Sequence, residues 1–143
     1  MTPDSVFSVA NTFALLAWLF LIGPARWMPR TFACVRLAVP LVLSCVYVAA
    51  FAEAWPTIEG GFGSLDAVRT LFGQPWVLLA GWVHYLAFDY SVGGWMLERA
   101  KADNLSHLAV VPVLALTFLL GPAGFFVFHL LRNVTLRFRR KAA

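Results

Sequence analysis

The stretch SVFSVANTFALLAWLFLIGPA, Ser5 to Ala25, places 21 uncharged residues between Asp4 and Arg26. About 20 mostly apolar residues cross the hydrocarbon core of a bilayer as a helix, so this run predicts a membrane span over about 5–24. The rest of the 143-residue chain follows suit: 61% of it is apolar, 13% is charged, and its mean hydropathy is +0.77. Such values exclude an ordinary soluble domain and predict an integral membrane protein of one domain, 1–143.

Further spans follow from where charge is missing. Arg36 and Glu53 bracket 16 uncharged residues, which predicts a second helix over about 34–55 with both charges reaching toward the interfaces. Pro75, a favourable first-turn residue, opens a third over about 75–97. The fourth is expected over about 106–131, kinked by Pro112 and the Gly121-Pro122 pair, with a basic tail at 132–143. The expected fold is thus all-α, an integral membrane bundle of four transmembrane helices. Between the second and third, Ser64 precedes Leu65, Val68, Leu71 and Phe72 at helical spacing, predicting a short interfacial helix, or a lid over a lateral opening.

The first run has neither the positive leader nor the small-residue cleavage site of a signal peptide, and no Ser/Arg-rich transit segment precedes it. A bacterial inner membrane is the expected location. With four crossings, Arg26, Arg30, Arg36, Arg99 and Lys101 stand opposite Arg69, Arg132, Arg137, Arg139, Arg140 and Lys141. The first loop, together with acidic Glu59 and Asp66 in the second, favours both termini outside, whereas the basic tail favours the reverse.

Cys34 and Cys45, eleven positions apart on one helix, stand about 16 Å apart and cannot bridge. With three histidines in the chain, no metal, di-iron or haem site is expected, and no cofactor. Catalytic serine, Cys-His and phosphate-loop signatures are also missing. The near-repeat FLIGPA, Phe20–Ala25, and FLLGPA, Phe118–Ala123, fits either a weak inverted repeat or two Gly-Pro helix ends.

What remains is WVHYLAFDYSVGGW, Trp82 to Trp95, which sets a histidine and an aspartate inside an apolar helix. An ionisable side chain at membrane depth is costly, so Asp89 and His84 are the candidate catalytic pair for proton chemistry, or else the polar groups that orient a ligand. On a helix Asp89 shares a face with Trp82, Tyr85 and Gly93, while His84 lies about 140° away with Phe88, Ser91 and Trp95. The bland alternatives are an Asp89 that ties helices together near Pro112 or Pro122, and a His84 that packs against a hydroxyl such as Tyr47 or Thr117. His107 and His129 are expected at the interfaces.

Three segments together, GPARW at Gly23–Trp27, HYLAFDYSVGGW at His84–Trp95 and VPVLALTFLLGPAGF at Val111–Phe125, resemble the abscisic-acid-deficient-four-like family of small four-helix membrane proteins. The likeness covers roughly 11–131. It implies a role in xanthophyll metabolism, because the plant member is required for converting violaxanthin to neoxanthin, an epoxide opening that yields an allene. The matching positions are Arg26, Trp27, His84, Phe88, Asp89, Gly93, Trp95, Pro112, Thr117, Gly121, Pro122 and Gly124. Ser91 and Gly94 stand where the plant pattern has an aromatic residue and an arginine, so the basic neighbour of Asp89 is missing.

The implied function is to bind or act on carotenoids. Asp89 would protonate an epoxide or polyene oxygen, His84 would take a proton, and Trp82, Tyr85, Phe88, Trp95, Thr117, Arg26 and Trp27 would contact the ligand. A non-catalytic carotenoid- or lipid-binding helper subunit is the alternative, and a small proton-linked transporter a third. The expected partners are a carotenoid or other long apolar ligand, the lipid bilayer, and a second copy or a partner enzyme; no nucleic acid is expected.

Overall fold

A computed structural model describes residues 1–142. They form α1 (Pro3–Ile22), α2 (Pro29–Ala54), α3 (Leu65–Phe72), α4 (Pro75–Ala102), α5 (His107–Leu119) and α6 (Gly121–Ala142), with single 3-10 turns at Pro24–Arg26 and Trp55–Thr57 and no strand among the described residues. Prolines open α1, α2 and α4, where a missing N–H costs nothing. α3 is the expected surface helix: the Ser64 hydroxyl accepts a hydrogen bond from the Ala67 N–H at 3.1 Å, and Leu71 is its buried anchor.

α1 and the α2 run through Thr57 are long and apolar enough to cross a membrane. Only 28% and 17% of their most apolar windows are buried inside the protein. A core helix of a soluble protein would hide that surface, so these two helices mark the chain as membrane-associated. α4 has 28 residues, about 42 Å at 1.5 Å per residue, and it is less apolar because it carries His84, Asp89 and several aromatic and glycine residues.

The expected single kinked helix over 106–131 is instead two helices. At Leu120 the backbone leaves the helical region (φ −145, ψ 70), and α6 restarts at Gly121-Pro122. The chain folds back so tightly that a Cβ on Gly124 would overlap the Thr117 hydroxyl and press on its backbone. α6 therefore returns alongside the second half of α4. Phe125 and Phe128 lie against Trp95, each 5.8 Å between ring centroids, while Arg132 bonds Asp103 and Arg139 reaches the Asp103 and Asn104 carbonyls at 2.8 Å. The basic tail is the distal half of α6, and α5, with 13 residues, is too short to span hydrocarbon by itself.

The described residues cluster into two compact units that share α1, α2 and α4. The first comprises Met1–Leu15 and Ala38–Phe88, and contains α3 packed through Leu71 against Ala54 and Val77. The second comprises Leu16–Leu37 and the chain from Asp89 onward. Its core is fully buried Trp18, Tyr90, Met96, Leu114 and Phe128, with Trp18 edge-on to Tyr90 at 5.7 Å.

Candidate functional site

In the first unit, α2, the 3-10 turn that follows it and α4 present a continuous aromatic ladder with His84 in it. Successive ring centroids run Trp55 to Phe51 at 5.9 Å, Phe51 to Tyr47 at 6.0 Å, Tyr47 to His84 at 5.9 Å and His84 to Phe88 at 4.4 Å. The rungs recur because four-residue spacing on α2 and again on α4 stacks side chains one turn apart on one helix face. Beside the middle of the ladder is a pocket of about 260 Å³, lined by Tyr47, Phe51, Ala80, Gly81 and His84 and closed over by Phe62, Leu71 and Phe72 from the α3 segment. Gly81 makes this closure possible, since a Cβ there would overlap the Phe72 ring. His84 and Phe88 are both exposed, so the imidazole meets whatever lies along the ladder.

Other predicted ligand contacts lie on different surfaces. Trp82 donates its indole N–H to Asn11 Oδ1 at 2.7 Å and has Phe7 and Tyr85 as ring neighbours at 5.7 and 5.3 Å. Trp82 and Phe7 line a second cleft of about 300 Å³ with Pro75 and Leu79. A third, of about 580 Å³, runs between α1 and α2, walled by Ala10, Phe13, Leu43 and Ala50, with Glu53 and Trp76 also lining it. Its walls offer dispersion contacts to an apolar chain, with Glu53 as their one acidic group.

Asp89 belongs to the second unit and sits at the break between α5 and α6. A Cβ built on Gly121 would overlap both carboxyl oxygens, so the carboxyl occupies the space above the first turn of α6. That is where a helix dipole favours negative charge. Asp89, Val92, Pro122 and Phe125 line a small hollow of about 300 Å³. Of the two sequence alternatives for Asp89, proton chemistry or holding helices together, this geometry fits the second directly and leaves a void for the first.

Trp95 packs on α6, with His129 at 5.7 Å in addition to the two phenylalanines. Thr117 is fully buried; its hydroxyl donates to the Val113 carbonyl at 2.8 Å, as a membrane-helix threonine does, and lies 3.6 Å from Met96 Sδ. It packs the hairpin rather than facing a ligand. Arg26 donates to the Leu105 carbonyl at 3.1 Å, and Trp27, 68% exposed, stands edge-on to His107 at 4.8 Å. Both belong to the loop end of the second unit and line none of the clefts described above.

Phe51 and Trp55 complete the ladder beyond the residues that the sequence analysis names. The i, i+4 spacing of Tyr47, Phe51 and Trp55 was the available signal, but which α4 face it meets is a tertiary fact. Among the described residues no three His, Cys, Asp or Glu side chains converge as a metal site would require. The ladder can hold a flat conjugated or cyclic apolar group against its rings and offer it one imidazole, whose nitrogens can donate or accept a hydrogen bond. No curated relative and no solved structure matches the chain. Residues 5–128 match the family described as ABA DEFICIENT 4-like, and the chain belongs to that family.

Proposed function

We propose that this is a membrane protein that binds a carotenoid or xanthophyll along the aromatic ladder and acts on its end group through His84. The observation that carries the reading is the run of five rings from Trp55 to Phe88 with the imidazole fourth in line, beside a pocket closed by the α3 segment. A polyene is flat, long and apolar, and a row of aromatic rings, two neighbouring pairs stacked and two tilted, gives it a continuous apolar contact surface. Family membership supports carotenoid chemistry as the substrate class.

The bilayer is part of the site in this reading. α4 crosses it beside α1 and α2, and the ligand reaches the ladder from lipid. The imidazole removes or returns a proton at the end group, an isomerase-like step that consumes no cofactor. A second reading gives the proton step to Asp89, and the hollow beside its carboxyl favours it. A helper subunit that binds pigment without changing it is the third.

Expression in a xanthophyll-producing host separates these. The protein purified in mild detergent is expected to carry visible absorption, which Tyr47→Ala and His84→Ala reduce several-fold. His84→Gln is expected to retain pigment and abolish any product formed by the wild type. Product loss with Asp89→Asn but not with His84→Gln would transfer the chemistry to Asp89. Bound pigment with an unchanged xanthophyll profile would leave the helper subunit. Colourless wild-type protein with an unchanged profile would end the carotenoid proposal.

A further inference from the structure

The cationic side chains sort by unit. Arg69 is the only lysine or arginine of the first unit, where Asp4, Glu53, Glu59 and Asp66 are the acids; every other lysine and arginine lies in the second. Within the second unit, the α1–α2 connection, the α4–α5 connection and the distal half of α6 come together. Lys101 Nζ donates to the Ala25 carbonyl at 3.2 Å, His107 Nε2 lies 3.0 Å from the Ile22 carbonyl, and Arg26 bonds the Leu105 carbonyl. Arg132 and Arg139 bind Asp103 and Asn104 from α6.

This end is under-neutralised. Glu98 takes Arg36 at 2.7 Å and Asp103 takes Arg99 and Arg132, whereas Arg30, Arg137, Arg140 and Lys141 have no ion pair among the described residues. Arg26 also keeps a buried Nη1 with no hydrogen-bond partner among the described residues. On the distal turns of α6, Val134 and Phe138 stand exposed beside Arg137, Arg140 and Lys141 and flank a shallow groove. Cations interleaved with apolar side chains suit the boundary of a bilayer, where chains enter the acyl layer and guanidinium and ammonium groups meet phosphate.

We infer that the α5–α6 hairpin enters and leaves the bilayer on one side, and that this cationic end docks on the anionic phospholipid headgroups of that leaflet. Apart from Arg69, the basic residues that a four-crossing layout divides between two sides then fall on one, and the positive-inside rule makes that side cytoplasmic. The membrane is crossed three times, by α1, α2 and α4, so the start of α1 and the end of α6 lie on opposite sides. This inference does not depend on the ligand or on any chemistry at His84.

Two measurements test it. In a Cys34→Ser/Cys45→Ser background, Thr31→Cys, Ala102→Cys and Arg140→Cys should react together with a membrane-impermeant maleimide only after the cells are opened, while Thr57→Cys should react in intact spheroplasts. Arg140→Cys labelling with Thr57→Cys would show that α5–α6 crosses, and would overturn the hairpin. In nanodiscs, the unfolding midpoint should be higher in phosphatidylglycerol than in phosphatidylcholine of the same chain length. That difference should shrink at least by half in R137Q/R140Q/K141Q and in high salt. Equal midpoints, a difference that survives the triple variant, or the same rise produced by inorganic phosphate in phosphatidylcholine would overturn docking on an anionic leaflet.

Discussion

Gly121 has a hydrogen where any other residue has a carbon, and the Asp89 carboxyl occupies the space beside it. Asp89 was legible in the sequence as a carboxyl at membrane depth, and Gly121-Pro122 as a place where a helix bends. Their meeting was not, because a close approach between residues 32 positions apart has no signature in either stretch. Substituting Gly121→Ala drives a methyl into both carboxyl oxygens. Overpacking of this kind typically costs about 1–3 kcal/mol, so the variant should unfold at lower temperature or denaturant concentration in mild detergent. Asp89→Ala removes the atoms in the way, so adding Gly121→Ala to it should cost much less than in the wild type. Equal costs in the two backgrounds would mean that position 121 matters for the backbone of α6 alone.

At the scale of elements, the hairpin depends on how α4 ends. Asn104 adopts a left-handed conformation (φ 54), and Leu105 N–H bonds the Ala100 carbonyl at 2.8 Å while Asn104 N–H bonds the Lys101 carbonyl at 3.1 Å, a Schellman stop. The stop holds Asp103 where α6 can reach it. A hydrogen bond from Arg132, with Arg99 and Arg139 adding positive charge nearby, keeps the Asp103 carboxyl below its ordinary value of 3.8 despite partial burial. A carboxyl whose pKa is depressed in the folded state stabilises that state above its unfolded value and loses the contribution as pH falls through the folded one. Hydrogen exchange of α6 amides should thus be slow at neutral pH and accelerate as the pH is brought below about 3.8, once rates are corrected for intrinsic chemistry. Asp103→Asn should bring the fast behaviour to neutral pH and flatten the acid response. An unchanged response in that variant would place the acid-sensitive group elsewhere. Gly-Pro marks a bend without giving its angle, so the sequence alone predicts one kinked helix here. The signals for a full reversal were the crowding of basic residues after Leu131 and the lone Asp103 before Ser106, which become informative only as partners.

For the whole molecule, the all-α character, the surface helix under Ser64 and the family were legible from apolar run lengths, an N-cap and three motifs. The division of functional candidates between two units was not, since His84 and Asp89 lie five residues apart on one helix. That division makes the competing readings distinguishable without a product assay. If pigment lies along the ladder, it should reduce backbone exchange in 47–55, 62–72 and 77–88, whose side chains form the ladder and its pocket. It should leave 107–131 unchanged. If the Asp89 hollow is the binding site, protection should instead centre on 89–92 and 121–125. Comparing pigment-loaded with bleached protein by hydrogen–deuterium exchange mass spectrometry in the same detergent reads both regions at once. Local opening rates respond to a bound ligand through the segment it contacts, so the location of the change identifies the site even when the ligand is known only by its spectrum. Protection spread evenly over both regions would count against the ladder as the binding surface, because a ligand stacked on five rings has no contact through which to slow the exchange of α5.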